Sequence, residues 1–238
     1  VILLLVLAQL TTAPEFQSGP GFQKNQSATS VDGTSHVSAE QAQTNGALRA
    51  ILEGVAGYGE GVKLLAGGQL AEGRAWFEKR GLKPGVATAL YLEGKVDEAL
   101  GMLKGERGWA VGLVAEMALT SPQHAGLALE MVKREMEREP SEAAWPYYAA
   151  RLDRDGDVKR RVELLERAAG LDPKGTRALL ELARVETGEK ALRALERARE
   201  REPGNAVIHY RLATAYRAAG QTEAARESMR KFRELQAK

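Results

Sequence analysis

Three stretches in the C-terminal part of the chain share one layout: PSEAAWPYYAARLDRDG, PKGTRALLELARVETG and PGNAVIHYRLATAYRAAG, each followed by a charged, Ala/Leu-rich run. Aligned on Gly156, Gly188 and Gly220 they fall 32 residues apart, and each opens with a proline, Pro140, Pro173 or Pro203. A fixed period of this size marks a solenoid, in which no unit buries its apolar face alone and stacking supplies the core. Function in such a chain is expected on the surface made by stacking.

Each phrase reads as the first helix of a hairpin. Ser141, Thr176 and Asn205 stand just after the prolines, where an N-cap is needed, and apolar residues follow at i, i+3, i+4 and i+7. Gly156, Gly188 and Gly220 are expected to end that helix in the left-handed conformation, with Asp157 and Thr222 capping the second. Ala149, Ala183 and Ala213 let the two helices approach closely, while Tyr148, Leu182 and Leu212 fill the space beside them. Pro146, several residues past Ser141, predicts a distorted first turn. Upstream, Gly68 with Gly73 and Gly94 with Ala99 repeat the same five-residue offset, giving hairpins near 54–81 and 82–105. One degenerate unit fits between, with helices over Trp109–Thr120 and Gln123–Arg138, which makes six. Residues 40–66 are helical in pattern, but five glycines among them cost about 1 kcal/mol each in a helix interior and blur the boundaries.

Counted from Glu142, the residues Trp145, Tyr148, Ala149, Leu152, Gly156, Ala168 and Pro173 occupy offsets 4, 7, 8, 11, 15, 27 and 32. This spacing resembles the tetratricopeptide repeat family, with departures at Arg161, where that family has a small residue, and in the unit from Thr176, which is short between its helices. The resemblance implies an all-α, right-handed superhelical solenoid of antiparallel hairpins, about six units over residues 40–238, and suits an exported bacterial member. It further implies that offsets 2, 5, 9, 12 and 13 of each first helix line a concave groove that takes an extended peptide or a partner helix. Carried onto this sequence, those positions are Asp153 and Arg154; Arg177, Leu180 and Arg184; Val207, Tyr210, Thr214 and Arg217. Of these, Arg154, Arg177, Arg184, Tyr210, Thr214 and Arg217 are the expected partner-binding residues, because arginine beside an aromatic ring suits a carboxylate-bearing peptide. The Lys/Asn arrangement with which chaperone-binding members grip a terminal carboxylate is not reproduced.

The N-terminus is of another kind. VILLLVLA resembles the end of a secretory apolar region, with cleavage expected after Ala8 or Ala13, an uncleaved anchor as the other reading, and a buried strand or short core helix as a third. Residues 14–39, rich in Ser, Thr, Gln, Gly and Asn, are too poor in apolar surface to order themselves and read as a tether. An extracytoplasmic location follows: periplasmic, secreted or membrane-tethered.

Charge is uneven. Residues 151–238 carry 21 Lys/Arg against 15 Asp/Glu, whereas residues 1–150 carry 13 against 17. Much of the basic surplus belongs to solvated helix faces such as RALERAREREP, whose arginines and glutamates pair at i,i+3 and i,i+4. The remainder favours an acidic partner.

Catalytic chemistry finds little footing. His36, His124 and His209 have no metal or nucleophile partners in sequence, there is no cysteine, and no phosphate-loop, dinucleotide or metalloprotease motif occurs. The run Asp153-x-Asp155-x-Asp157 opens like a calcium loop, but Gly156 falls too early and position 164 is Leu. The expectation is a protein without cofactor or metal that scaffolds a protein partner through its groove. An anion- or nucleic-acid-binding module on the basic units, or a regulatory subunit of an enzyme complex, are the competing readings. Nucleic acid is disfavoured because aromatic and basic residues do not interleave.

Overall fold

The computed structural model describes residues 38–237, and the apolar stretch, both cleavage positions and tether residues 14–37 lie outside the described residues. Thirteen α-helices and no strand occur among the described residues. The first, α1 (Ala39–Glu53), stands alone. The other twelve pair into six hairpins: α2 and α3 (Gly59–Ala66, Leu70–Glu78), α4 and α5 (Lys83–Leu92, Val96–Leu103), α6 and α7 (Trp109–Leu119, Ala125–Arg138). The series continues with α8 and α9 (Ala144–Leu152, Val158–Leu171), α10 and α11 (Arg177–Val185, Gly188–Arg201), and α12 and α13 (Ala206–Ala218, Thr222–Gln236). Each hairpin packs on the next in chain order, so the described residues form an all-α solenoid of six helical hairpins.

Local chemistry places the helix ends. Asn205 and Asp157 cap α12 and α9, accepting from Val207 N at 3.0 Å and Lys159 N at 3.0 Å. Several expectations need correction. Helix α8 starts at Ala144, not beside Ser141, so Pro146 falls in the first turn, where a backbone N–H has no intrahelical partner to lose. Gly156 is not left-handed, and Gly188, although left-handed (φ 56°), opens α11 and does not close α10, so Gly220 (φ 73°) alone of the three ends its helix as expected. A Cβ at Gly156 would stand 2.5 Å from the Asp153 carboxylate, which is why that position is small. Thr176 and Thr222 also differ from their expected role: the Thr176 hydroxyl donates to Glu202 at 2.9 Å, and Thr222 is the first residue of α13.

Buried leucines, alanines and aromatics run as one core through all six units, with Trp145, Tyr148 and Phe77 its largest fully enclosed members. Ala149 and Ala213 are buried at the predicted crossings, Tyr148 and Leu212 beside them. Arginines tie the units together at helix ends: Arg201 donates to the carbonyls of Asp172 (2.9 Å), Gly175 (2.7 Å) and Ala169 (3.1 Å), satisfying orphan groups at the end of α9. Arg161, the departure from the repeat pattern, acts within its own hairpin, donating to Ala150 O near the end of α8 at 3.3 Å.

Candidate functional site

Successive first helices touch one another from α2 through α4 and α6 to α8, which makes them the inner side of the stack. That inner face has two differently furnished halves.

Over units 1 to 3 it is covered. Helix α1 lies across α2, α4 and α6 and buries Thr44, Ala47, Leu48, Ile51 and Leu52 against them. Spacing of i, i+3/i+4 and i+7/i+8 puts these five on one stripe. The receiving helices carry a matching signature. Helix α4 buries seven consecutive residues, Gly85–Tyr91, and α6 buries ten, Ala110–Leu119. A helix apolar all round must be packed all round, and the outer helices account for only one side of α6. By contrast α10, with no such cover, buries only Ala178, Leu179 and Leu182. Polar pairs fix the position of α1: Gln41 Nε2 donates to the Tyr91 hydroxyl at 2.8 Å, and Arg154 Nη2 meets Glu40 Oε1 at 3.0 Å while also donating to Leu119 O at 2.8 Å.

Over units 4 to 6 the inner face is charged. Glu116, the sole ionisable residue of α6, is buried and accepts at one oxygen from the Tyr148 hydroxyl (2.9 Å) and from Arg177 Nη2 (3.1 Å). The Arg177 guanidinium stacks 4.6 Å from the Tyr147 ring centroid, and its Nη1 is buried with no hydrogen-bond partner. Arg151 donates to the Tyr147 hydroxyl at 3.1 Å and lies 3.9 Å from Glu181, which also pairs with Arg184 at 3.2 Å. Arg211 donates to Leu180 O at 3.2 Å and makes no direct ion pair among the described residues. Four guanidiniums, Arg151, Arg177, Arg184 and Arg211, thus face two carboxylates, Glu116 and Glu181.

The electrostatics follow from that balance. Burial opposes the charges of Arg151 and Arg177, yet Tyr147 and Glu116 outweigh it, so both are held above the ordinary arginine value. Burial pushes the Tyr148 hydroxyl well up, with Glu116 adding to it. Arg211 is the exception: burial lowers it, and Glu181 offsets this only in part. A desolvated cation without its own counter-ion is an acceptor site for an anion.

The six residues expected from sequence separate. Arg177 and Arg184 belong to the charged cluster, and Arg154 is engaged with α1. Tyr210, Thr214 and Arg217 lie on one exposed stripe of α12, where Tyr210 packs 5.4 Å from the Phe232 ring of α13 and Thr214 donates to Tyr210 O at 3.2 Å. Glu116, Tyr147, Arg151, Glu181 and Arg211 were not among those expected. Glu116 alone left a signal, as a single carboxylate inside the apolar run WAVGLVAEMAL. Of the motifs weighed for chemistry, Asp157 is a helix cap and Asp153 faces Gly156, while His124 Nε2 lies 2.8 Å from Asp97. Among the described residues no group of three metal-binding side chains occurs, and no helix is long and apolar enough to cross a membrane.

A helical-repeat solenoid with a charged inner face is the class that fold and site define. Residues 186–234, which span α11 and the last hairpin, match the tetratricopeptide repeat family. Among solved structures the chain is similar to a crystal structure of MamA, at 18% identity and a TM-score of 0.48 over 74% of this chain and 94% of that one. It is also similar to a second MamA crystal structure (16% identity, TM-score 0.46, 82% and 93% covered) and to MamA MSR-1 C2 (17%, 0.48, 69% and 97%). No curated protein matches the sequence. At these identities nothing about partners or activity is carried across.

Proposed function

We propose that this protein is a non-catalytic adaptor of the cell envelope whose inner face, over units 4 to 6, holds an acidic segment of a partner protein. The observation that carries the reading is the excess of guanidinium over carboxylate on that face, with Arg211 desolvated, only partly offset by Glu181 and without a direct ion pair among the described residues. Arginine forks bind carboxylates bidentately, and Tyr147 supplies the rigid aromatic wall against which such contacts become strong. Arg177, Arg184 and Arg211 make the anionic contact in this reading, and Tyr210, Thr214 and Arg217 extend the surface along α12. The apolar VILLLVLA followed by a stretch rich in polar residues supports placement outside the cytoplasm.

The test is fluorescence anisotropy of the full chain with short Asp/Glu-rich peptides carrying apolar residues, beside a single-stranded oligonucleotide of equal charge. Wild type binds the peptides and Arg184→Ala with Arg211→Ala loses them. Preferential capture of the oligonucleotide, with a steep dependence on salt, would instead establish phosphate binding.

A further inference from the structure

We infer that the inner face of units 1 to 3 is a helix-binding groove, that α1 fills it in cis, and that a partner's amphipathic helix takes the groove by displacing α1. The chemistry of the displacing helix is read from the occupant. It carries a stripe of small and branched apolar residues in the places of Ala47, Leu48, Ile51 and Leu52, an amide in the place of Gln41 to meet Tyr91, and a carboxylate near its N-terminus to meet Arg154.

Several features of α1 set it apart from the repeats it covers. It belongs to no hairpin, and every unit packs on its neighbours without passing through it. Its covalent attachment on the described side is the short loop 54–58, which contains Gly54 and the left-handed Gly57. Its charged anchor, Glu40 with Arg154, is exposed on both sides (55% and 48%), a kind of pair that holds weakly. It also starts autonomously, because Ser38 Oγ accepts from Gln41 N at 3.1 Å and so supplies the cap from within the same segment. Gly46 in its middle lowers the helix propensity that would otherwise favour keeping it formed. The groove is the opposite case. Ten consecutive buried residues in α6 and seven in α4 demand a cover at all times, so leaving the groove empty is disfavoured while exchanging its occupant is not.

The experiment uses a labelled synthetic peptide of residues 38–53 and three forms of the full chain: wild type, Leu48→Glu with Leu52→Glu, and a chain with a protease site placed in loop 54–57 and cut there. A tethered helix competes at an effective concentration on the order of millimolar. The peptide is therefore expected to bind the doubly substituted chain at least about 100-fold more tightly than wild type, and to replace residues 38–53 in the cut chain. The same peptide carrying Leu48→Glu should fail in both. The proposal is overturned if the cut chain retains its fragment under excess peptide, or if the substituted chain unfolds and the peptide does not restore it; either result makes α1 a fixed part of the core. Dimerisation of the cut chain in place of peptide uptake would assign the groove to a second copy and overturn it equally.

Discussion

Replacing Glu116 by Ala should be among the most damaging single changes in the molecule, although it removes only one side chain. Glu116 is 2% exposed and serves two donors at once, the enclosed Tyr148 hydroxyl and the Arg177 guanidinium, whose side chain is 21% exposed. Its removal leaves the hydroxyl unpaired, at about 1–3 kcal/mol. It also leaves a largely desolvated cation whose Nη1 already lacks a partner, and breaking such a pair from one side costs about 3–5 kcal/mol. These are not independent, so about 3–5 kcal/mol is expected in total. Glu116→Gln keeps an acceptor for Tyr148 and should cost about half as much. The decisive variant is the double change Glu116→Met with Arg177→Met, which removes both charges, leaves only the Tyr148 hydroxyl unpaired and should cost about 1–3 kcal/mol, less than Glu116→Ala alone. Because a repeat array does not unfold in one step, urea titration by circular dichroism should be paired with hydrogen exchange, which places the loss in α6, α8 and α10. A Glu116→Ala cost below about 1 kcal/mol, or a double variant no better than the sum of the singles, would refute the account of a desolvated charge pair.

Other expectations follow the same geometry. Arg184→Ala with Arg211→Ala should abolish acidic-peptide binding, whereas Tyr210→Ala with Arg217→Ala should weaken it less; the reverse order in an anisotropy titration would move the site to the exposed stripe of α12. Ala213→Arg forces a charge into a fully buried crossing and should destabilise the last hairpin by about 3 kcal/mol or more, so an unchanged melting curve would contradict the packing. Glu93 is held below the usual carboxylate value first by its hydrogen bond to Lys95, with Arg74 adding and burial opposing. Its stabilising contribution is therefore complete above the unfolded value near 4.5 and is lost as pH falls through the depressed folded value. The stability gap between wild type and Glu93→Gln should close on acidification, and a gap independent of pH would sink this assignment.

Much of the solenoid was readable in the chain because its determinants are local. The glycine and proline punctuation, the caps at Asn205 and Asp157, and the small residues at Ala149 and Ala213 act within one hairpin, and all six hairpins stand near the expected positions. Pro146 shows the limit of such reading: its distance from Ser141 predicts a distorted turn, whereas the helix starts at Ala144 and takes the proline into its first turn. Helix α1 was harder, since its glycines hid its ends and nothing in its own sequence says which distant helices it covers. The charged cluster was only half legible for the same reason. Glu116, Tyr147 and Arg177 come from three different helices, and their meeting depends on how units stack, which no single repeat encodes.

Solenoids ordinarily melt like a row of beads, each responding to its immediate neighbours. The crossbar formed by α1, touching α2, α4 and α6 and reaching Arg154 beyond α8, links beads that are not adjacent. While α1 is docked, the first four units are linked through it and are expected to respond as one block, whereas the last two keep the graded, end-fraying behaviour of a free array. A molecule built from one repeated part thus has four units coupled by that crossbar and two that are not, and Arg184 and Arg211 of the proposed acceptor surface lie in the uncoupled pair.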